Sequence, residues 1–236
     1  MVSVKQIGIL LGVCVMLVAG LSYWAGRDGT NQLTLNQLTL NEEAVELESP
    51  FTPKELEITK PNDTNAMNPV AVFETNKGTV EIELFADTMP VTASNFVKLV
   101  KEGYYDGIKF HRVIDGFMIQ GGDPLTKDDT KINLWGTGGP GYAIADEHIV
   151  GELLTNTRGT ISMANSGPES GGSQFFINLV DNVALDFDKP PLSSAHPVFG
   201  RVISGMDVVD AIGKVPVTPG NNRPVEAVVI NKATIK

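Results

Sequence analysis

The chain has 236 residues, a formal net charge of -10 and a single cysteine, Cys14. That length suits one domain of ordinary size once any targeting segment is subtracted. The acidity, with a pI near 4.7, argues against a nucleic-acid backbone or an anionic lipid surface as the main partner, and one cysteine excludes an internal disulfide or a cysteine-based zinc site within the chain.

Residues 1–26 read as a signal-anchor or a signal peptide. Ile7 to Gly26 carries no charge, Lys5 precedes it and Arg27-Asp28 end it. At about 1.5 Å per residue, that run is just long enough for a membrane-anchor helix. Lys5 and the amino terminus favour an inside start, which places the remainder outside the cytoplasm. The competing reading is cleavage near Val18-Ala19-Gly20. Either way the expected product is membrane-anchored or secreted. Residues 27–68 read as an acidic, flexible and disordered linker. The pentad Asn-Gln-Leu-Thr-Leu occurs twice in tandem from Asn31 to Leu40, Glu42, Glu43, Glu46 and Glu48 follow, and Pro50, Pro53 and Pro61 interrupt.

The globular unit is expected over residues 69–236. Val72 to Glu74, a turn at Asn76-Lys77-Gly78, and Val80, Ile82 and Leu84 alternating with Glu81 and Glu83 predict a hairpin with one wet and one buried face. Pro90 opens a helix on which Ala93, Phe96, Val97 and Val100 recur until Gly103 stops it. Further strand-like runs are Ile108 to Val113, Phe117 to Gln120, Thr160 to Ala164, Phe175 to Leu179, Val198 to Ile203 and Val225 to Ile235. A second short helix, capped by Ser204, carries Met206, Val209 and Ile212 before Gly213. Many short strands with few helices predict a mainly β architecture, either a sandwich or a barrel; periodicity does not choose between them.

Chemistry-bearing residues concentrate in three blocks. Phe110 to Asp123, FHRVIDGFMIQGGD, sets Arg112 near the apolar pair Phe117-Met118 and the amide of Gln120. Strand alternation sends Arg112 and Ile114 to one face and Val113 to the other. Ile161 to Ile177 adds Asn165 and Gln174 beside Phe175-Phe176, and HPVFGRV adds His196 and Phe199. Other chemistries lack their signatures. Gly136 to Gly141 has no P-loop lysine, Asn165-Ser166-Gly167 is not a nucleophile elbow, and His111, His148 and His196 have no ligand spacing, so no metal is expected.

Together the three blocks resemble the cyclophilin family of peptidyl-prolyl isomerases, over about Pro69 to Lys236. The resemblance implies a closed eight-stranded antiparallel β-barrel capped by two α-helices, here preceded by the anchor helix and linker. It implies a cofactor-independent peptidyl-prolyl cis-trans isomerase assisting protein folding. Its partners would be proline-containing segments of unfolded or folding chains and, through the N-terminal segment, a membrane; no nucleic acid is expected and the domain would be monomeric. Arg112 matches the catalytic position. Phe117, Met118, Phe176, Leu185 and His196 match the walls of the proline pocket, Gln120 and Gln174 the orienting amides, and Ala164-Asn165 the segment that pairs with bound peptide. Ser166, Glu169 and Ser170 fall at the rim of the family's neighbouring pocket. The chain departs from the pattern at Ala184, where many members carry a tryptophan important for binding cyclosporin.

Overall fold

The computed structural model describes residues 68–189 and 195–236. Residues 1–26, and the linker up to its last residue, lie outside the described residues. Among the described residues no helix is long and apolar enough to cross a membrane.

Eight strands form one antiparallel sheet: β1 (Val70–Thr75), β2 (Gly78–Leu84), β3 (Arg112–Ile114), β4 (Met118–Gly121), β5 (Thr160–Met163), β6 (Phe175–Asn178), β7 (Val198–Ser204) and β8 (Ile230–Ile235). Their order is β3-β4-β6-β5-β7-β2-β1-β8. Helices α1 (Pro90–Lys101) and α2 (Met206–Gly213) complete the regular elements. The β1–β2 hairpin closes through Asn76-Lys77, with Thr75 opposite Gly78. Thr75 Oγ1 stiffens that turn by donating to the Gly78 carbonyl at 2.6 Å.

The expected closed barrel is not formed. The sheet is an open, curled half-barrel whose edge strands β3 and β8 do not pair with each other. Residues just before β3 meet the run into β8 around the isolated bridge Lys109–Val229, through Gly107 N–H to the Ile230 carbonyl at 2.7 Å, Ile230 N–H to the Ile108 carbonyl at 2.9 Å and Phe110 N–H to the Val228 carbonyl at 2.9 Å. The ladder stops there because the outer edge of β3 is occupied by a loop: Val113 N–H donates to the Asn222 carbonyl at 2.8 Å. A backbone donor already satisfied by a loop is no longer available to continue a ladder.

The core lies on one face of the sheet. Ala71, Phe73, Val80, Ile82 and Leu84 of the hairpin meet Ala93, Phe96, Leu99 and Val100 of α1. Phe96, Tyr105 and Phe175 pack as a tilted and edge-on aromatic cluster, with ring centroids 4.9 to 5.8 Å apart. Helix α1 has no side-chain cap of its own at Met89. The Glu147 carboxylate, remote in sequence, accepts from Val91 N–H at 2.9 Å and Thr92 N–H at 2.6 Å, placing negative charge where the helix dipole favours it.

Helix α2 departs from expectation at its start. Ser204 ends β7, and the cap is Gly205, with φ +82° and no side-chain hydrogen bond. Space decides this: a Cβ at Gly205 would sit 2.2 Å from the Thr79 carbonyl oxygen.

Candidate active site

Register across four strands assembles the site. Arg112 faces Gln120 between β3 and β4, Gln120 faces Phe176 between β4 and β6, and Phe176 faces Ser162 between β6 and β5. Since residues paired across strands share a face, these four form one row on the face opposite the core. The next pairs along, Val113–Ile119, Ile119–Ile177 and Ile177–Ile161, form the core-facing row. The sheet therefore separates a polar site from an aliphatic core by single-residue alternation.

Nine of the ten sequence-expected site residues line one hollow of about 240 Å³: Arg112, Phe117, Met118, Gln120, Ala164, Asn165, Phe176, Leu185 and His196. The tenth, Gln174, lies in an adjoining hollow of about 470 Å³ that also takes in Ser166, Ser170 and the Gly136–Gly139 loop. Gln120, Ala164 and Asn165 line both. Glu169 does not line either; it stands exposed at φ +53°.

Hydrogen-bond polarity fixes the guanidinium's surroundings. Gln174 Nε2 donates to the carbonyls of Gly136 and Gly138, both at 2.9 Å. Its oxygen is thereby turned toward Gln120, whose Nε2 donates to it at 3.0 Å. Gln120 must then present its own oxygen to Arg112, which donates from Nη1 at 3.3 Å. Arginine has about five N–H donors and no acceptor, so only this orientation of both amides suits it. Arg112 is half-buried, and none of the ion pairs among the described residues includes it.

The apolar wall is held from behind. His196 stands edge-on to Phe176 at 5.3 Å. Its Nδ1 bonds the Met163 carbonyl at 3.1 Å; because a carbonyl only accepts, Nδ1 carries the proton. Burial pushes the His196 pKa down, partly opposed by that bond. Asn165 Nδ2 donates to the Ala195 carbonyl at 2.6 Å, and Ala164 N–H to the Gln174 carbonyl at 2.9 Å.

Sequence reasoning missed the buried polar cluster beneath this wall. Asn156, fully buried, donates from Nδ2 to Asp186 Oδ1 at 2.8 Å and to the His196 carbonyl at 3.1 Å. Its Oδ1 accepts from Ser162 Oγ at 2.7 Å and Asn178 Nδ2 at 3.2 Å. Asn182 extends the cluster to the pocket's far side, donating to Asn178 Oδ1 at 2.8 Å and the Phe117 carbonyl at 2.9 Å. No local signal betrays Asn156, which sits in irregular backbone between Thr155 and Thr157 with partners up to 40 residues away.

His111, next to Arg112, is buried, and neither ring nitrogen has a hydrogen-bond partner. Burial lowers its pKa to about 4, with Asp123 opposing and Arg112 and Arg223 reinforcing the shift. Among the described residues no group of three or more His, Cys, Asp or Glu side chains gathers as metal ligands would.

Comparison with known proteins places this architecture. The family model described as cyclophilin type peptidyl-prolyl cis-trans isomerase/CLD matches residues 70–235. The peptidyl-prolyl cis-trans isomerase CYP18-1 of Arabidopsis thaliana is 41% identical over 163 residues, covering 69% of this chain and 93% of that protein. The peptidyl-prolyl cis-trans isomerase-like 2 of Cryptococcus neoformans is 39% identical over 178 residues, 75% of this chain, and the match spans only 29% of that longer relative. A Cryptosporidium parvum cyclophilin type isomerase, crystallised in the presence of the dipeptide Ala-Pro, shares 30% identity at a TM-score of 0.58, covering 71% of this chain and 98% of its own. The matched span, the curled eight-stranded sheet and these likenesses agree: the chain belongs to the cyclophilin type peptidyl-prolyl cis-trans isomerases.

Proposed function

We propose that the hollow lined by Arg112 accelerates rotation about X-Pro bonds, with the proline ring held against Phe117, Met118, Phe176, Leu185 and His196. The barrier to peptide rotation is about 18–20 kcal/mol because the nitrogen lone pair is delocalised into the carbonyl. As an X-Pro bond twists, that lone pair returns to nitrogen, creating an acceptor absent from the planar ground state. A donor aimed at it binds the transition state selectively, which is what lowers the barrier. Arg112 spends one N–H on Gln120 and pairs with no carboxylate among the described residues, so its other donors can face substrate. The observation that carries this reading is the convergence on one hollow of five apolar or aromatic side chains and a guanidinium that has no ion-pair partner among the described residues.

Ala164-Asn165 would receive the peptide backbone as an added strand. The Ala-Pro dipeptide named with the Cryptosporidium parvum structure supports a proline-containing ligand for the same architecture. Residues 1–26 and 27–68 extend the reading: a segment uncharged from Ile7 to Gly26, followed by an acidic linker, would tether a monomeric isomerase domain outside the cytoplasm, where it would meet folding chains and not nucleic acid.

The test is isomerisation of a short X-Pro peptide by the full chain beside Arg112→Ala. Loss of one transition-state donor elsewhere costs about 10²–10³ in rate, and a fall in kcat/KM of that order is expected. Turnover unchanged by the substitution would refute the mechanism. A chaperone that merely holds proline segments would instead lose turnover in the variant yet keep full client protection.

A further inference from the structure

Asp123 is fully buried, yet none of the ion pairs among the described residues includes it. Its carboxylate is satisfied by three backbone donors. Oδ1 accepts from Leu125 N–H at 2.7 Å, while Oδ2 accepts from both Gly136 N–H and Gly138 N–H. The first bond caps a local turn and needs no wider purpose. The other two reach 13 and 15 residues along the chain and seize a loop that has no regular structure of its own. The fit is close: a Cβ on Gly138 would lie 2.1 Å from Asp123 Oδ1.

That loop is also the anchor of the amide relay. The same two residues whose N–H groups point inward to Asp123 offer their carbonyls outward to Gln174 Nε2. Glycine-rich backbone is loose unless held, and a loose loop would present those two carbonyls at no fixed spacing. With the carbonyls fixed, Gln174 has one orientation, Gln120 has one orientation, and Arg112 finds its acceptor. At the loop's other end, Trp135 lies under both Lys109 Nζ, 5.1 Å from the ring centroid, and Arg223, 5.2 Å away, so the loop is gripped on both sides of Gly136.

We infer that Asp123 is a positioning residue for Arg112, acting through the Gly136–Gly138 loop, Gln174 and Gln120. The inference rests on the proposed role of Arg112 for its effect on turnover, but not for its effect on the guanidinium itself. Two readouts therefore serve as the test, applied to the full chain carrying Asp123→Ala, Asp123→Asn or Gly138→Ala. The first is the NMR signal of the Arg112 Nε–H, which reports how firmly the guanidinium is held. The second is kcat and KM on a short X-Pro peptide, in the native background and with Arg112→Ala.

Asp123→Ala should broaden or shift the Arg112 signal and lower kcat about tenfold with KM within twofold. Asp123→Asn, which keeps one oxygen able to accept from the loop, should recover part of both effects. Gly138→Ala approaches the same contact from the exposed side, and reproduces the loss should Asp123→Ala fail to fold. In the Arg112→Ala background none of the three substitutions should lower the residual kcat more than twofold. An Arg112 signal unchanged in both Asp123→Ala and Gly138→Ala overturns the inference, as does a kcat loss that persists in full without Arg112, which would mark a general structural role. Native turnover in Arg112→Ala would defeat only the proposed function, leaving the NMR readout to decide the positioning.

Discussion

Replacing Asn156 with alanine would test how the apolar wall of the Arg112 hollow is held. The fully buried side chain makes four hydrogen bonds, and the consequences differ among its partners. Asp186 Oδ1 keeps the Asn156 backbone N–H at 2.8 Å, and Asn178 Nδ2 keeps Thr160 Oγ1 at 2.9 Å. The His196 carbonyl and the Ser162 hydroxyl lose the partners named for them here. Each buried polar group left without a partner costs about 1–3 kcal/mol, so the variant should lose about 2–6 kcal/mol, a large share of the about 5–15 kcal/mol typical of a domain. Function should respond selectively. Leu185 and His196 are joined by the His196 N–H to Leu185 carbonyl bond at 3.1 Å, and both would loosen, whereas the Gln174–Gln120–Arg112 relay lies on other elements. Urea titration gives the stability change, and steady-state isomerisation of an X-Pro peptide below the unfolding transition should show KM raised several-fold with kcat within twofold. A stability loss under about 0.5 kcal/mol together with unchanged KM would refute this account of the wall.

Two further outcomes follow from other parts of the site. The pKa of His111 is lowered from 6.5 to about 4 in the folded chain, chiefly by burial; the folded state therefore resists a proton that the unfolded state accepts. Its contribution is complete above pH 6.5 and is lost as pH falls toward 4, on the order of 3 kcal/mol. His111→Phe should flatten that component between urea titrations at neutral and acid pH, and an identical acid loss in both proteins would contradict it. Ala184 is exposed in the short turn Val183–Leu185 beside the pocket. Ala184→Trp should tighten cyclosporin inhibition about tenfold or more, equivalent to about 1.4 kcal/mol, with kcat/KM within twofold; an inhibition titration unchanged by the tryptophan would remove the explanation.

Local signals carried far in some elements and failed in others. The alternation of Val80, Ile82 and Leu84 with glutamates gave β2 correctly, since a strand with one wet face writes its orientation into every second residue. Pro90 and Gly103 bounded α1 for equally local reasons. Ser204 looked like a cap by residue type, but the close approach of Thr79 required Gly205 there instead. The closed barrel came from the family resemblance, and the loop residue Asn222 on the outer edge of β3 overrides it. No alternation pattern announces that a loop will take an edge donor.

By itself the sequence determined the alternation within a strand, Arg112 and Ile114 against Val113, whereas the pairing that sets Arg112, Gln120 and Phe176 on one face came from the tertiary structure. The tertiary structure alone decided what holds those side chains still. Asn156 reaches Asp186 and His196, and Asp123 reaches Gly136 and Gly138, through contacts 13 to 40 residues apart. Periodicity is a property of neighbours along the chain, whereas the orientation of a buried amide or carboxylate is set by whichever donors and acceptors folding brings beside it.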